Sequence, residues 1–191
     1  MITFMGTFIV VNTMSDPSKF IAYMGFAAGQ SGTLLSWVLA AITVSLYCWS
    51  ASSISDVKRY MFKFDLIKGV AIIAALCAGI VEEIVFRKWI MDYLAAKDFS
   101  IVLQILASGL AFGLAHLVWG FKNIKAGINA ALSTFLLGVA LAIVYWLGDR
   151  SLAPCIVAHF LVTALIEPGL LISAERDRLG YFSERNKHSS S

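Results

Sequence analysis

The sequence predicts an all-α, polytopic membrane protein, a transmembrane helix bundle of about six spans. Apolar residues make up 59% of the 191 residues and charged residues only 14%, and the mean hydropathy of +0.80 is far above that of an ordinary soluble domain. The apolar runs are long and continuous, as spanning helices require, and they lack the alternating pattern of barrel strands.

The N-terminal third contains two of the predicted spans. The apolar run from Ile2 to Val11 is long enough to span only if it extends through Met14. Residues 20–50 are too apolar for a loop and too long for one untilted helix, and Gly29 and Gly32 interrupt them. We therefore expect an interfacial piece and then a span over about 33–49. Residues 50–68 include several charged side chains and are predicted to form the main polar loop.

The remaining chain contains the four other spans. A central helix is predicted over about 66–95, followed by spans over about 101–119, 127–147 and 154–172, the last starting at Pro154, a residue tolerated early in a helix. Together the spans form one transmembrane domain, residues 1–174. A charged, flexible cytoplasmic tail is expected over residues 175–191.

The basic residues lie in short loops, and the net charge is only +3. This distribution argues against nucleic-acid binding. The positive-inside rule places the loop 50–68, Lys122, Lys125 and the tail on the cytoplasmic side. Three cysteines, Cys48, Cys77 and Cys155, lie in apolar segments without CxxC spacing, so we interpret them as packing residues.

The stretch VEEIVFRKW places two glutamates and an arginine inside the central apolar run. A charge near the centre of a spanning helix costs about 2.5 to 3.5 kcal/mol on insertion scales, so such groups are usually paired and functional. Glu83 and Arg87 are spaced i, i+4 and can pair, whereas Glu82 projects roughly 100° away and points elsewhere. The alternative is that all three form an ion-pair cluster that only fixes helix packing.

Two histidines lie in two other predicted spans. His116 follows Phe112 at i+4 among small residues that let helices approach closely. His159 is followed by Thr163 at i+4 and Glu167 at i+8, a stripe that could equally line an ion path. If these histidines converge with a glutamate, the site can activate water and polarise a carbonyl; the alternative for each histidine is a hydrogen-bonded packing role.

Taken together, the motifs that these residues form resemble those of a known protein family. They match an EExxxR motif over residues 82–87, an FxxxH motif over residues 112–116 and a last histidine at His159. In this order and spacing they are similar to the CPBP family of CAAX proteases and bacteriocin-processing enzymes, also called the ABI family. Its eukaryotic relatives are the type II CAAX prenyl endopeptidases.

The resemblance implies an intramembrane, glutamate-dependent endopeptidase with a helical catalytic core over about 66–172 and a cavity open to the cytoplasm, in a bacterial inner (plasma) membrane. Its partners would be membrane lipids and a peptide or protein substrate, with or without a lipid; no cofactor is implied. By position, Glu82 would activate water with help from His116, and His159 would stabilise the oxyanion. The supporting residues would be Glu83, Arg87, Phe112 and Thr163, the last standing where the family usually has asparagine.

Other mechanisms remain open from the residues alone. Glu82, His116 and His159 would suffice as ligands of a catalytic zinc, although no HExxH motif is present. A serine protease based on Ser108, or a dyad of Cys155 with His159, has weaker support. A non-catalytic protein, such as a bacteriocin self-immunity factor or a transporter, would use the same polar groups without hydrolysis.

Overall fold

The computed structural model describes residues 2–121 and 124–175, and within these ranges every regular element is a helix and no strand is present. A π-helical segment covers Ile84–Met91, and a 3-10 segment covers His116–Phe121. The predicted all-α class is therefore confirmed. The α-helices are α1 (Ile2–Ser15), α2 (Pro17–Tyr23), α3 (Leu34–Ala51), α4 (Ser55–Tyr60), α5 (Leu66–Glu83), α6 (Asp92–Ala95), α7 (Ile101–Ala115), α8 (Ile124–Leu147) and α9 (Ala153–Glu175).

Five helical stretches in the described ranges are long and apolar enough to cross a membrane: Leu34–Ala51, Leu66–Ala95, Ile101–Val118, Ile124–Leu147 and Ala153–Glu175. The protein is thus a multi-pass membrane bundle, as predicted. The sixth expected span, α1, has 14 residues. At 1.5 Å per residue it is about 21 Å long, shorter than the hydrocarbon core of about 30 Å.

Side-chain caps explain why the predicted starts of the spans agree with the structure. The Thr33 hydroxyl accepts a hydrogen bond from Ser36 N at 3.2 Å, and Asp65 Oδ1 accepts one from Lys68 N at 2.9 Å. These caps satisfy backbone donors that the first turn leaves free. The predicted charged tail lies outside the described residues except for Glu175, as does Lys122.

The predicted loop 50–68 is wrong in one respect, because it contains the short helix α4. Its Val57 is fully buried and lies against Gly169 of α9. The buried ammonium group of Lys68 donates to the carbonyl of Met61 at 2.8 Å. A six-residue helix is not stable by itself, so packing on α9, which the local sequence does not reveal, stabilises it.

We expect Gly169→Ala to destabilise the protein by about 1 to 3 kcal/mol. A Cβ atom at Gly169 would lie 2.4 Å from Val57 Cα and 2.9 Å from the Asp56 carbonyl oxygen, so α4 would have to move away. Thermal unfolding in detergent measures the effect. The control is Gly69→Ala, where a Cβ atom meets nothing within 4 Å; equal melting temperatures of the two variants would contradict the prediction.

Glycines bring the backbones of the central helices together. A Cβ atom at Gly138 of α8 would lie 2.9 Å from Gly109 Cα of α7, as expected from the small residues before His116. A Cβ atom at Gly79 of α5 would lie 3.3 Å from Phe160 N of α9. Since Glu83 lies one turn after Gly79 and His159 directly precedes Phe160, this approach of α5 and α9 positions the site.

Candidate active site

Glu83 is the central carboxylate of a buried cluster, and its side chain has no exposed surface. Its Oε1 lies 2.7 Å from His159 Nδ1, and its Oε2 lies 3.1 Å from Arg87 Nε. An ionised carboxylate only accepts hydrogen bonds. Nδ1 of His159 must therefore carry a proton and donate it to Glu83.

Arg87 is equally buried and pairs with Glu83, as the i, i+4 spacing predicts. Its Nη2 donates to the Gly138 carbonyl at 3.2 Å, and its guanidinium carbon lies 4.8 Å from the centre of the Phe112 ring. Within the described residues, Nε and Nη1 form no aligned hydrogen bond, so the contact with Glu83 is an ion pair. Arg87 thus connects α5 and its π-helical continuation to α7 and α8.

His159 lies between the two adjacent glutamates. While Nδ1 is bound to Glu83, Nε2 lies 3.7 Å from Glu82 Oε2, which is too long for a direct hydrogen bond. Both atoms can contact one small molecule placed beside them, such as a water. The Glu82 side chain is 14% exposed, against 4% for His159, so Glu82 is the more accessible of the two.

His116 occupies the junction between α7 and the 3-10 segment. Its Nδ1 lies 2.9 Å from the carbonyl oxygen of Phe112, and Phe112 is 1% exposed, with its ring centre 4.8 Å from that of His116 and 5.5 Å from that of His159. Phe112 therefore packs against both imidazoles.

The assistance that His116 is expected to give Glu82 does not take the form of a direct bond. In the described part of the chain, no hydrogen bond or ion pair joins these two side chains, and the ionic contact of Glu82 is with His159. Because α7 ends at Ala115, the His116 ring lies against the last turn of its own helix, where its Nδ1 contacts the Phe112 carbonyl. The two groups lie at one site but need a bridging molecule to exchange a proton.

The π-helical segment directly after Glu83 was not predicted. Such segments are rare and are frequently found at functional sites. The Phe86 carbonyl inside it accepts a hydrogen bond from the Ser108 hydroxyl at 2.8 Å, which gives Ser108 a structural role. Hydrophobic periodicity is too coarse to reveal one extra residue per turn in an apolar run.

The other polar candidates differ in their surroundings. Thr163 is half-buried and makes no side-chain hydrogen bond within the described residues. Glu167 is half-buried and interacts electrostatically with Glu82, His159 and His116. Cys155 is fully buried and donates to the Leu141 carbonyl at 3.3 Å, so this contact supports packing rather than a dyad with His159.

The donor side chains of the described site do not converge as metal ligands do. Across residues 2–121 and 124–175, no three His, Cys, Asp or Glu side chains are placed to hold a metal ion. Glu82 and His159 are two donors on one side of the cluster, whereas a catalytic zinc usually has three protein ligands.

Fold and site together define the class: an integral membrane protein with an intramembrane cluster of carboxylates and imidazoles. The family model of type II CAAX prenyl endopeptidase Rce1-like proteins matches residues 65–165, more than half of the chain, and the chain belongs to this family. The resemblance inferred from the three motifs is thereby confirmed, and the protein is of the CAAX-protease-like intramembrane endopeptidase type. No curated protein and no solved structure shows significant similarity to the chain.

Proposed function

We propose that the protein hydrolyses a peptide bond within the membrane, using water activated by Glu82 and an oxyanion site at His159. The observation that carries this proposal is the placement of His159 Nε2 beside Glu82 while Nδ1 is held by the buried Glu83. A carboxylate that holds one imidazole nitrogen fixes the orientation of the other, the principle that positions catalytic histidines in general.

The proposed mechanism uses His159 as an imidazolium. Glu82 and Glu83 carry two negative charges and Arg87 one positive charge, so an imidazolium at His159 makes the group neutral in a setting where net charge is costly. Both ring nitrogens are donors in that form. Nε2 can then donate to the substrate oxygen that becomes negative in the transition state.

Glu82 supplies the base. The oxygen of a water held by Glu82 attacks the carbonyl carbon, and Glu82 takes the proton that the water loses. When the tetrahedral intermediate collapses, the carbon–nitrogen bond breaks and the leaving amine takes up this proton. His116, neutral and held by Phe112, assists by passing the proton through a bridging water.

The family description supports a CAAX-type substrate, a peptide or protein chain that carries a prenyl group. Unlipidated peptides and membrane proteins are the other members of the proposed substrate class. We place the protein in a bacterial inner membrane with its site open to the cytoplasm, because the positive-inside rule assigns the basic loop 50–68 to the cytoplasmic side. The reaction as proposed needs no metal.

The test is cleavage of a prenylated CAAX peptide and its unlipidated counterpart by the protein purified in detergent, with mass spectrometry of the products. We expect cleavage to persist after thorough chelation and dialysis. Activity that disappears on chelation and returns with zinc would replace the metal-free mechanism by the zinc version. Absence of cleavage with both peptides and a membrane-protein substrate pool would favour a non-catalytic role.

Substitutions of Thr163 should change kcat according to whether the new side chain can donate a hydrogen bond. Thr163→Val, which removes the hydroxyl without changing the shape, should lower kcat about 10-fold or more if the hydroxyl donates to the oxyanion, since loss of one such donor costs about 10² to 10³ in the strongest cases. Thr163→Asn, which restores the family's amide, should retain or raise kcat. Equal kcat for Thr163→Val and the wild type would remove this residue from the oxyanion site.

A further inference from the structure

A cavity of about 310 Å³ lies at the end of the bundle opposite the loop 50–68. That loop joins the end of α3 to the start of α5, whereas the cavity borders the segment before α3, the π-helical segment and the turn between α8 and α9. Among the described residues, no side chain assigned to hydrolysis lines it. Its lining consists mainly of glycine backbone and polar side chains, namely Tyr23, Gln30, Lys88, Asp149, Arg150 and Ser151.

The walls of this cavity are fixed by contacts between the segment before α3 and the turn after α8. Gly25 has a left-handed backbone (φ +82°), and a Cβ atom at this position would overlap Ser151 Oγ. The Thr33 hydroxyl at the start of α3 donates to the carbonyl of Leu147, the last residue of α8, at 2.7 Å. The cavity is therefore preformed, as small-molecule sites usually are.

Two groups of opposite charge line the cavity without being paired to each other. The Arg150 guanidinium donates to Asp92 Oδ1 at 2.6 Å, so these two charges cancel. Lys88 Nζ lies 3.9 Å from the same carboxylate, too long for a hydrogen bond, and 5.4 Å from the centre of the Tyr23 ring. Asp149 is exposed, and its side chain makes no hydrogen bond or ion pair in the part of the chain that the structure describes. One positive and one negative group therefore remain available to a ligand.

Exposed aromatic side chains indicate the depth of this cavity in the membrane. Trp89 and Tyr23 are both exposed, and the Trp89 indole donates to the Tyr23 hydroxyl at 3.1 Å. Trp146, also exposed, lies at the end of α8, two residues before Gly148 in the cavity lining. Tryptophan and tyrosine are enriched where the apolar core of a bilayer meets its headgroups. The cavity thus lies at the level of the phospholipid headgroups.

We propose that this cavity binds the headgroup of a phospholipid that carries both a phosphate and a primary ammonium group. The phosphate accepts hydrogen bonds from the Lys88 ammonium, which has three donors, and the headgroup ammonium donates to the Asp149 carboxylate. A volume of about 310 Å³ is at the lower end of the range of small-molecule sites. It suits a headgroup whose acyl chains stay in the bilayer. This site does not depend on the proposed hydrolysis.

The test is native mass spectrometry of the purified full chain in detergent with dioleoyl-phosphatidylethanolamine or dioleoyl-phosphatidylglycerol. Wild-type protein should bind the first at least about threefold more tightly, because the second has a phosphate but no ammonium. Lys88→Met should weaken the binding of both lipids about tenfold, since a charged donor to the phosphate is lost. Asp149→Asn, whose amide tolerates the left-handed backbone, should remove the preference and keep the binding of phosphatidylglycerol.

Two residues in the turn before α7, at the same end of the bundle, provide matched controls. Asp98 is exposed, and its backbone is left-handed like that of Asp149 (φ 57° and 53°). Asp98→Asn and Lys97→Met remove the same charges outside the cavity lining and should bind both lipids as the wild type does. Equal binding of the two lipids by the wild type, or a preference that Asp149→Asn retains, would overturn the proposal. Soluble glycerophosphoethanolamine that binds as tightly as the lipid would overturn the lipid as the occupant and assign the site to a free zwitterion.

Discussion

Glu82→Gln should lower kcat by about 10²- to 10⁴-fold, the usual contribution of a general base, while leaving the free energy of unfolding nearly unchanged. The amide has the shape of the carboxylate but cannot accept the proton of the attacking water. Glu82 makes no hydrogen bond within the described residues, and its contact with His159 is 3.7 Å long. Little folding energy therefore depends on its charge.

The matched control is Glu83→Gln, one residue further along the chain. Glu83 is fully buried and contacts both Arg87 and His159, so its replacement should lower both the melting temperature and the activity. Single-turnover cleavage and thermal unfolding in the same detergent separate the two variants. Retention of more than a tenth of the wild-type kcat in Glu82→Gln would show that another group activates the water.

Arg87→Met should destabilise the protein by about 3 to 5 kcal/mol, the cost of breaking a buried ion pair by removing one partner. Methionine fills much of the volume of the arginine stem, but it leaves Glu83 with only His159 as a partner and the Gly138 carbonyl without its donor. The measurement is the free energy of unfolding in detergent with increasing denaturing surfactant.

Lys88→Met is the control for this prediction, because it removes the positive charge of the next residue, which is partly exposed rather than buried. The Lys88 side chain is 26% exposed and lies 3.9 Å from Asp92, so its loss should cost less than about 1 kcal/mol. The double variant Glu83→Gln with Arg87→Met should be less destabilised than the sum of the single variants. Additive effects would mean that the two side chains do not stabilise the bundle as a pair.

The span limits could be predicted because their causes are local. Thr33 and Asp65 cap the helices that follow them, and Pro154 lies in the first turn of α9. The helix α4 could not be predicted, because its buried face packs on Gly169, more than a hundred residues away. The length of α1 could be predicted from its own apolar run. Its packing against α5 could not, because that contact joins distant parts of the sequence.

At the site, the residue types could be predicted and part of the pairing could not. The Glu83–Arg87 contact follows from helical spacing, since it is made within one continuous helix. The contact of His159 with Glu83 joins residues 76 positions apart, and the sequence near either residue does not indicate which partner it has. The hydrogen bond of His116 Nδ1 with the Phe112 carbonyl depends on where α7 ends, which the sequence did not predict to the residue.

By itself, the sequence determined the membrane class, the placement of the long spans and the identity of the few ionisable groups inside them, because hydropathy, capping and i, i+4 spacing act over a few residues. Only the tertiary structure decided that His159 lies between the two adjacent glutamates. The close approach of α5 and α9 at Gly79 places Nδ1 of His159 against Glu83 and Nε2 of the same imidazole near Glu82. These contacts depend on the crossing of two helices, which no local pattern encodes.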